Sequence, residues 1–282
     1  MRMLALMCRY GTEKYPSAYE ELSTFLDSRF GGLSKSVLVV DNAKPRAFRE
    51  RLSPDRVLVG GDNSLYEFSG WQTAIASEHE FIAEHDLVLL ATEAFTKDYV
   101  DYLSLFDEHA AEAAVEGSLC FGHLDAYPEP VTLLGQTSRS WLRSCMLLMS
   151  VDALKRITPL VVPEILERFF TDDIQHPFSE QARICDRYQG YLLGWLTGKG
   201  LFTGGVYHSQ FDLSRETVAH FRRKAACIIH EHHVTLRLET AGITPIDIEW
   251  WKRLDTGLGA GDLVRMSRET QLKELEQLRS AG

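Results

Sequence analysis

The sequence predicts an α/β protein, with a mainly parallel sheet covered by helices and a mostly helical C-terminal extension. Three observations predict it. Short apolar runs alternate with helix-period segments through residues 1–90, the grammar of successive β-α-β units. Those runs stop on polar residues, at Cys8-Arg9-Tyr10, Asp41-Asn42 and Gly61-Asp62-Asn63, and α/β folds hold ligands just beyond strand ends. The second half is dominated by helical periodicity, which places a ligand-binding and catalytic unit over 1–200 and a helical extension over 201–282.

Taken in order, residues 4–8 read as a first buried strand. Residues 17–30 read as a helix with Tyr19, Leu22, Phe25 and Leu26 on one face, closed by Gly31-Gly32. Strands follow at 35–40 and 56–59, joined by a link containing Pro45 and a short helical stretch. A helix over about 67–84 leads to a strand at 86–90, whose unbroken Leu-Val-Leu-Leu suits burial on both faces. From Gly117 short pieces with Pro128, Pro130 and Gly135 lead to a further buried strand over 141–149 and a helix over 151–157. Helices are expected at 180–196, ended by Gly198 and Gly200, at 215–239 and at 263–278. On the last, Leu263, Met266, Leu272, Leu275 and Leu278 form an apolar stripe suited to the domain or to a second copy.

Composition narrows the function. A chain of 282 residues, 45% hydrophobic, buries a sizeable core. A net charge of −10 argues against coating nucleic acid, which needs a net basic face. Five cysteines without C-x-x-C suggest neither a disulfide framework nor a zinc knuckle, so a reducing cytoplasm is expected. Met3-Leu-Ala-Leu-Met-Cys8 is too short for a signal-peptide core or a transmembrane segment. Neither G-x-S-x-G nor a Walker A sequence occurs, which weakens hydrolase and P-loop readings. His230-Glu-His-His233 lacks the four-residue ligand spacing of H-E-x-x-H and reads as a polar helix surface. Arg222-Arg-Lys224 reads as a solvated helix face, and Gly204-Gly205 with Tyr207 and His208 matches no phosphate-cradling motif.

Three segments carry a family likeness: Cys8-Arg9-Tyr10, Asn63-Ser-Leu-Tyr-Glu-Phe-Ser-Gly-Trp71, and Leu89-Leu-Ala-Thr-Glu-Ala-Phe95 followed by Trp141-Leu-Arg-Ser144. Over roughly 1–200 the chain resembles nucleotide-sugar glycosyltransferases of the GT-A type, whose sheet is Rossmann-type, and within them the rhamnan synthesis protein F-like group of bacterial surface polysaccharide assembly. The resemblance implies transfer of a sugar from a nucleotide-diphosphate donor to a saccharide acceptor, in the cytoplasm or at the inner face of the membrane. A homodimer or a partner glycosyltransferase would be its protein partner. It departs from the family pattern at Leu65, at Glu67 in place of aspartate, and at Ala91-Thr92-Glu93 where an Asp-x-Asp would hold Mg or Mn. Either Glu93 binds a divalent cation with help from groups near Asp86 or in the C-terminal region, or the reaction is metal-independent and Arg or Lys neutralises the diphosphate. The missing motif also leaves a noncatalytic module that binds a glycan or a partner glycosyltransferase as the alternative.

The donor side is assigned to Arg9, Asp41, Asn63, Glu67 and Glu93. Asp41 is suited to a nucleobase or ribose, or to a simple Asp-Asn turn. Asn63 and Glu67, four apart at a helix start, face one cleft, unless Asp62 or Asn63 is only a helix cap. Trp71 reads as core. The acceptor side is assigned to Trp141, Arg143 and Ser144. The proton acceptor is sought at Asp125 or His123, or in the 180–186 segment at Asp186.

Overall fold

The computed structural model describes residues 1–97, 101–201 and 210–253, together with Gln271, Lys273, Glu274 and Gln277. The chain opens with β1 (Arg2–Arg9), α1 (Ala18–Arg29), β2 (Ser34–Asp41), β3 (Arg49–Ser53), β4 (Arg56–Gly60), α2 (Tyr66–Ser77), α3 (His79–Ala83) and β5 (Leu87–Thr92). It continues with α4 (Glu108–Glu116), β6 (Leu119–Gly122), β7 (Leu124–Leu133), β8 (Gln136–Leu142), β9 (Met146–Ser150), α5 (Val151–Ile157) and α6 (Pro163–Arg168). The last described elements are α7 (Asp186–Thr197), α8 (Val218–Thr240), β10 (Thr244–Asp247) and α9 (Ile248–Arg253).

Among the described residues eight strands form one mixed, mostly parallel sheet in the order β10-β6-β9-β5-β1-β2-β4-β3, flanked by helices in a Rossmann-like arrangement. β1 pairs in parallel with β2 on one side and β5 on the other. The chain therefore builds outward from β1 through β2 and β4, then returns to β1's other edge as β5. That reversal opens a crevice beyond the C-terminal ends of the strands, the usual ligand position in such sheets. Met3 to Met7 of β1 are all fully buried, because helices cover both faces of the central strands.

The strand and helix expectations for 1–60 hold except at β3. Arg49-Glu-Arg-Leu-Ser forms an antiparallel edge strand against β4 where a link with a helical stretch was expected. Four of its five residues are exposed, so it has no apolar face to announce it, and its charges blunt an open sheet edge. The helix expected over 67–84 is broken between Ser77 and His79. Glu78 turns inward there, only 5% exposed, and receives Nε (2.6 Å) and Nη2 (3.0 Å) of Arg49.

The single strand expected over 141–149 is two strands in two sheets. β8 ends at Leu142 in a hairpin with β7, and β9 starts at Met146, antiparallel between β5 and β6. An unbroken apolar run does not mark where a chain leaves one sheet for another. Pro128 and Pro130 lie within β7 where its pairing with β8 is irregular, between Ala126 and Val131, a position that needs no ladder donor. Gly198 ends α7 in the left-handed region (φ 69°), as expected, although that helix starts at Asp186 rather than near 180.

The region expected to be a helical extension also supplies β10, which joins the main sheet beside β6. Asp247, fully buried, accepts from Leu124 N (2.8 Å) and Trp250 N (2.9 Å), tying that strand to β7 and to α9. α8 lies on the hairpin, where Thr235 Oγ1 accepts from Leu142 N at 2.9 Å. The stripe Leu263, Met266, Leu272, Leu275 and Leu278, and the Gly204-Gly205 segment with Tyr207 and His208, lie outside the described residues. Among the described residues no helix is long and apolar enough to cross a membrane.

Candidate functional site

A cavity of about 640 Å³ occupies the crevice beyond β1, β2 and β5, within the ~300–1,000 Å³ typical of small-molecule sites. Its floor is the strand ends. Its walls are the start of α2, the β7–β8 hairpin, α7 and one face of α8.

At the floor, Arg9 ends β1 and pairs through Nε with Asp41 Oδ2 at 2.9 Å. Asp41 Oδ1 accepts from Gly11 N (2.9 Å) and Ala43 N (3.0 Å), so both carboxylate oxygens hold the loops after β1 and β2. Glu93, after β5, lines the cavity and accepts from Tyr10 N at 3.0 Å. Burial raises its pKa, the Tyr10 amide opposes that, and the Asp41 charge adds to it.

Asn42 follows β2 and donates from Nδ2 to the Tyr66 carbonyl at 2.8 Å. Gly70 of α2 packs so close that a Cβ there would stand 2.7 Å from both Asn42 Oδ1 and Cys8 Sγ, which is why a glycine serves at that turn. Tyr66 starts α2 at φ 50°, ψ −128°, a rare conformation for a side chain with a Cβ. Its ring lies under Arg223 (4.1 Å) and Lys224 (4.5 Å) of α8, a cation–π stack at the cavity wall.

On the hairpin side Asp125 pairs with Arg143 Nε and lies 3.6 Å from His123 Nε2. Burial alone would raise its pKa, but His123 and Arg143 outweigh it and hold the carboxyl at about 2. Beside it Trp141 stands 4.1 Å, centroid to centroid, from His232 and 5.7 Å from Trp195. His232 Nδ1 lies within hydrogen-bond distance of Tyr127 Oη (2.6 Å) and Tyr188 Oη (2.7 Å), which fixes the ring. Desolvation pushes its pKa down to about 3.

Between floor and hairpin, Ser144 joins two carboxyl groups. Its N–H donates to Glu231 Oε1 at 2.6 Å and its hydroxyl to Glu67 Oε1 at 3.0 Å. Burial drives the Glu231 pKa up, the Ser144 amide pulls it back and the Glu67 charge raises it again, to about 7.

Of the residues expected to form the site, Arg9, Asn63, Glu67, Glu93, Asp125, Trp141, Arg143 and Ser144 all line this cavity. Asp62, not Asn63, caps the turn, accepting from Ser64 N at 2.7 Å. Trp71 is fully buried core. Asp41 lies behind the wall as the partner of Arg9, and His123 as a partner of Asp125. Asp186 is exposed at the start of α7, away from the lining residues. Sequence reasoning missed Lys14, Asn42, Tyr66, Trp195, Lys224, Cys227 and Glu231, which also line the cavity. Lys224 corrects the expectation of a purely solvated basic face, and the polar surface expected at 230–233 includes the buried His230 and His232. The spacing 224, 227, 228, 231 on one helix was the available signal, since it marks a single face.

No protein-family model and no curated protein matches the chain.

A divalent cation was an expectation of the Asp-x-Asp position. Ala91 there is fully buried, and Glu93 is a single carboxylate with one oxygen already accepting from Tyr10. Among the described residues no group of three His, Cys, Asp or Glu is arranged to hold a metal ion. One carboxylate, completed by a ligand's phosphate oxygens and by water, is a set that Mg accepts, so Glu93 is the residue that would hold such an ion. Four cations, Arg9, Lys14, Arg143 and Lys224, line the same space.

Proposed function

We propose that the protein is a GT-A-like glycosyltransferase that moves a sugar from a nucleotide-diphosphate donor to a saccharide hydroxyl in cytoplasmic assembly of a surface polysaccharide. One observation supports the reading: a single cavity joins Arg9 and Lys14 at the sheet's switch point, beside Glu93, to an aromatic wall with a fixed ion pair. Arg9 and Lys14 at the floor and Lys224 on α8 suit a diphosphate, whose departure needs its growing charge neutralised. Trp141 and Trp195 offer apolar faces to a sugar ring, and the Asp125–Arg143 pair offers acceptors and donors to its hydroxyls. Asp125, held ionised at about 2, is a weak proton acceptor and is assigned to binding.

In this reaction the acceptor oxygen forms a bond to the anomeric carbon while the bond to the diphosphate oxygen breaks. The leaving diphosphate takes the electron pair, and the acceptor hydroxyl proton passes to a protein group. Titration calorimetry with UDP-glucose, GDP-mannose and dTDP-rhamnose, with and without Mn²⁺, tests the reading. One donor is expected to bind, with affinity falling in Arg9→Ala and Lys224→Ala. Binding of none of them would favour the second reading, a noncatalytic glycan- or partner-binding module, which Ala91 in the acidic position motivates.

A further inference from the structure

Each face of α8 has a distinct task. Lys224, Cys227, Ile228 and Glu231 face the cavity, whereas His230 turns away, its Nδ1–H donating to Ala226 O (2.7 Å) and its Nε2 accepting from Val162 N (2.9 Å). Among the described residues Glu231 is thus the one carboxyl that α8 presents to the cavity, joined through Ser144 to Glu67 at the start of α2.

Ser144 makes this carboxyl directional. Its amide occupies Oε1 of Glu231 and its hydroxyl occupies Oε1 of Glu67. Two acids are thereby held on one serine beside the space where donor and acceptor would meet. Asp125 has the opposite setting, clamped by Arg143 and His123.

We propose that Glu231 is the catalytic base, taking the proton from the acceptor hydroxyl, and that Glu67 is the positioning residue that keeps Glu231 basic through its neighbouring charge. This rests on the transferase reading. The step balances: the hydroxyl oxygen keeps the O–H pair and uses a lone pair on the anomeric carbon, Glu231 gains the proton, and the diphosphate leaves with the C–O pair. A carboxyl whose conjugate acid titrates near neutrality is matched to this work at neutral pH, and burial together with Glu67 brings Glu231 to about 7. The groups facing it are Glu67 on α2, Arg143 and Cys145 between β8 and β9, Tyr188 on α7, and Cys227 with Lys224 on α8 itself. Arg143 acts against the raised pKa, and its pairing with Asp125 limits that effect.

The test combines an activity-free titration with turnover. Infrared or carboxyl-carbon NMR titration of the ligand-free protein should show a carboxyl titrating near pH 7, absent in Glu231→Gln and shifted to lower pH by about one unit in Glu67→Gln. Release of nucleoside diphosphate from the donor that binds, with saccharide or water as acceptor, should rise with pH through the same midpoint. Glu231→Gln should lower it by about 100-fold or more while calorimetric donor affinity is kept. Glu67→Gln should move the midpoint of that limb downward, and Glu67→Asp, which keeps the charge, should restore it. A neutral titration that persists in Glu231→Gln overturns the assignment, as does turnover at the wild-type rate in that variant. In both cases donor binding is intact and the transferase reading survives. Failure of every donor to bind removes that reading, and this base with it.

Discussion

Gly70 and Asn42 touch so closely that a methyl group on the first would stand 2.7 Å from Oδ1 of the second. The contact sets the height of α2 over the strand ends, and so where Asn63, Tyr66 and Glu67 enter the cavity. Gly70→Ala must push α2 off β1 and β2 or displace the Asn42 amide. Chemical denaturation should show a loss of about 1–3 kcal/mol, the usual range for overpacking a filled site. Calorimetry should show weaker donor binding in the same variant.

The Asp125–Arg143 pair is assigned to holding the acceptor, not to proton transfer. Asp125→Asn should raise the acceptor KM about tenfold, roughly 1.4 kcal/mol of binding, and keep the neutral limb of the pH profile, displaced to lower pH by the Arg143 charge it releases. A lost limb in this variant would reverse the roles of Asp125 and Glu231.

Acid should unfold the protein through α8. Burial lowers the pKa of His230 to about 4, His232 to about 3 and His233 to about 4, below the ordinary 6.5 of an unfolded chain. Depressed histidines stabilise the fold above the unfolded pKa, and that stability is lost as pH falls from 6.5 towards 4. Glu231 acts in the opposite sense between 4.5 and about 7, because the native state holds its proton more tightly. Three sites outweigh one, so stability should fall by roughly 2–4 kcal/mol between pH 7 and pH 5. Denaturation midpoints across that range measure it, and His230→Gln should flatten the curve.

The same sign rule makes Glu231 costly at high pH. Its raised carboxyl favours the fold below 4.5, and that contribution is lost as pH climbs through about 7. Glu231→Gln should therefore be more stable than wild type by about 1–2 kcal/mol at pH 8, with a smaller difference at pH 5. A residue kept against stability is what an active role predicts.

The parallel core was legible because strands buried on both faces write themselves as apolar runs, as at Met3–Met7 and Leu87–Ala91. β3 was not, since a solvent-facing edge of Arg and Glu has no such pattern. The break at residues 143–145 was hidden for another reason: Trp141-Leu142 and Met146-Leu147 are both apolar, and only the polar partners of Arg143 and Ser144 mark the passage between sheets. In the site, the strand-end and hairpin residues could be found by position along the chain. Glu231 could not, because its meaning comes from Ser144 and Glu67, which approach it from 87 residues away and from a different helix.

α8 also acts as a ruler. Lys224 and Glu231 are two turns apart on one continuous helix, a separation of about 10 Å along the axis at 1.5 Å per residue. No loop lies between them to stretch or fold. Under the proposed roles, the distance from the donor's diphosphate to the acceptor's reacting hydroxyl is gauged by helix pitch, and a single residue inserted between Lys224 and Glu231 would swing one of them about 100° off the cavity wall.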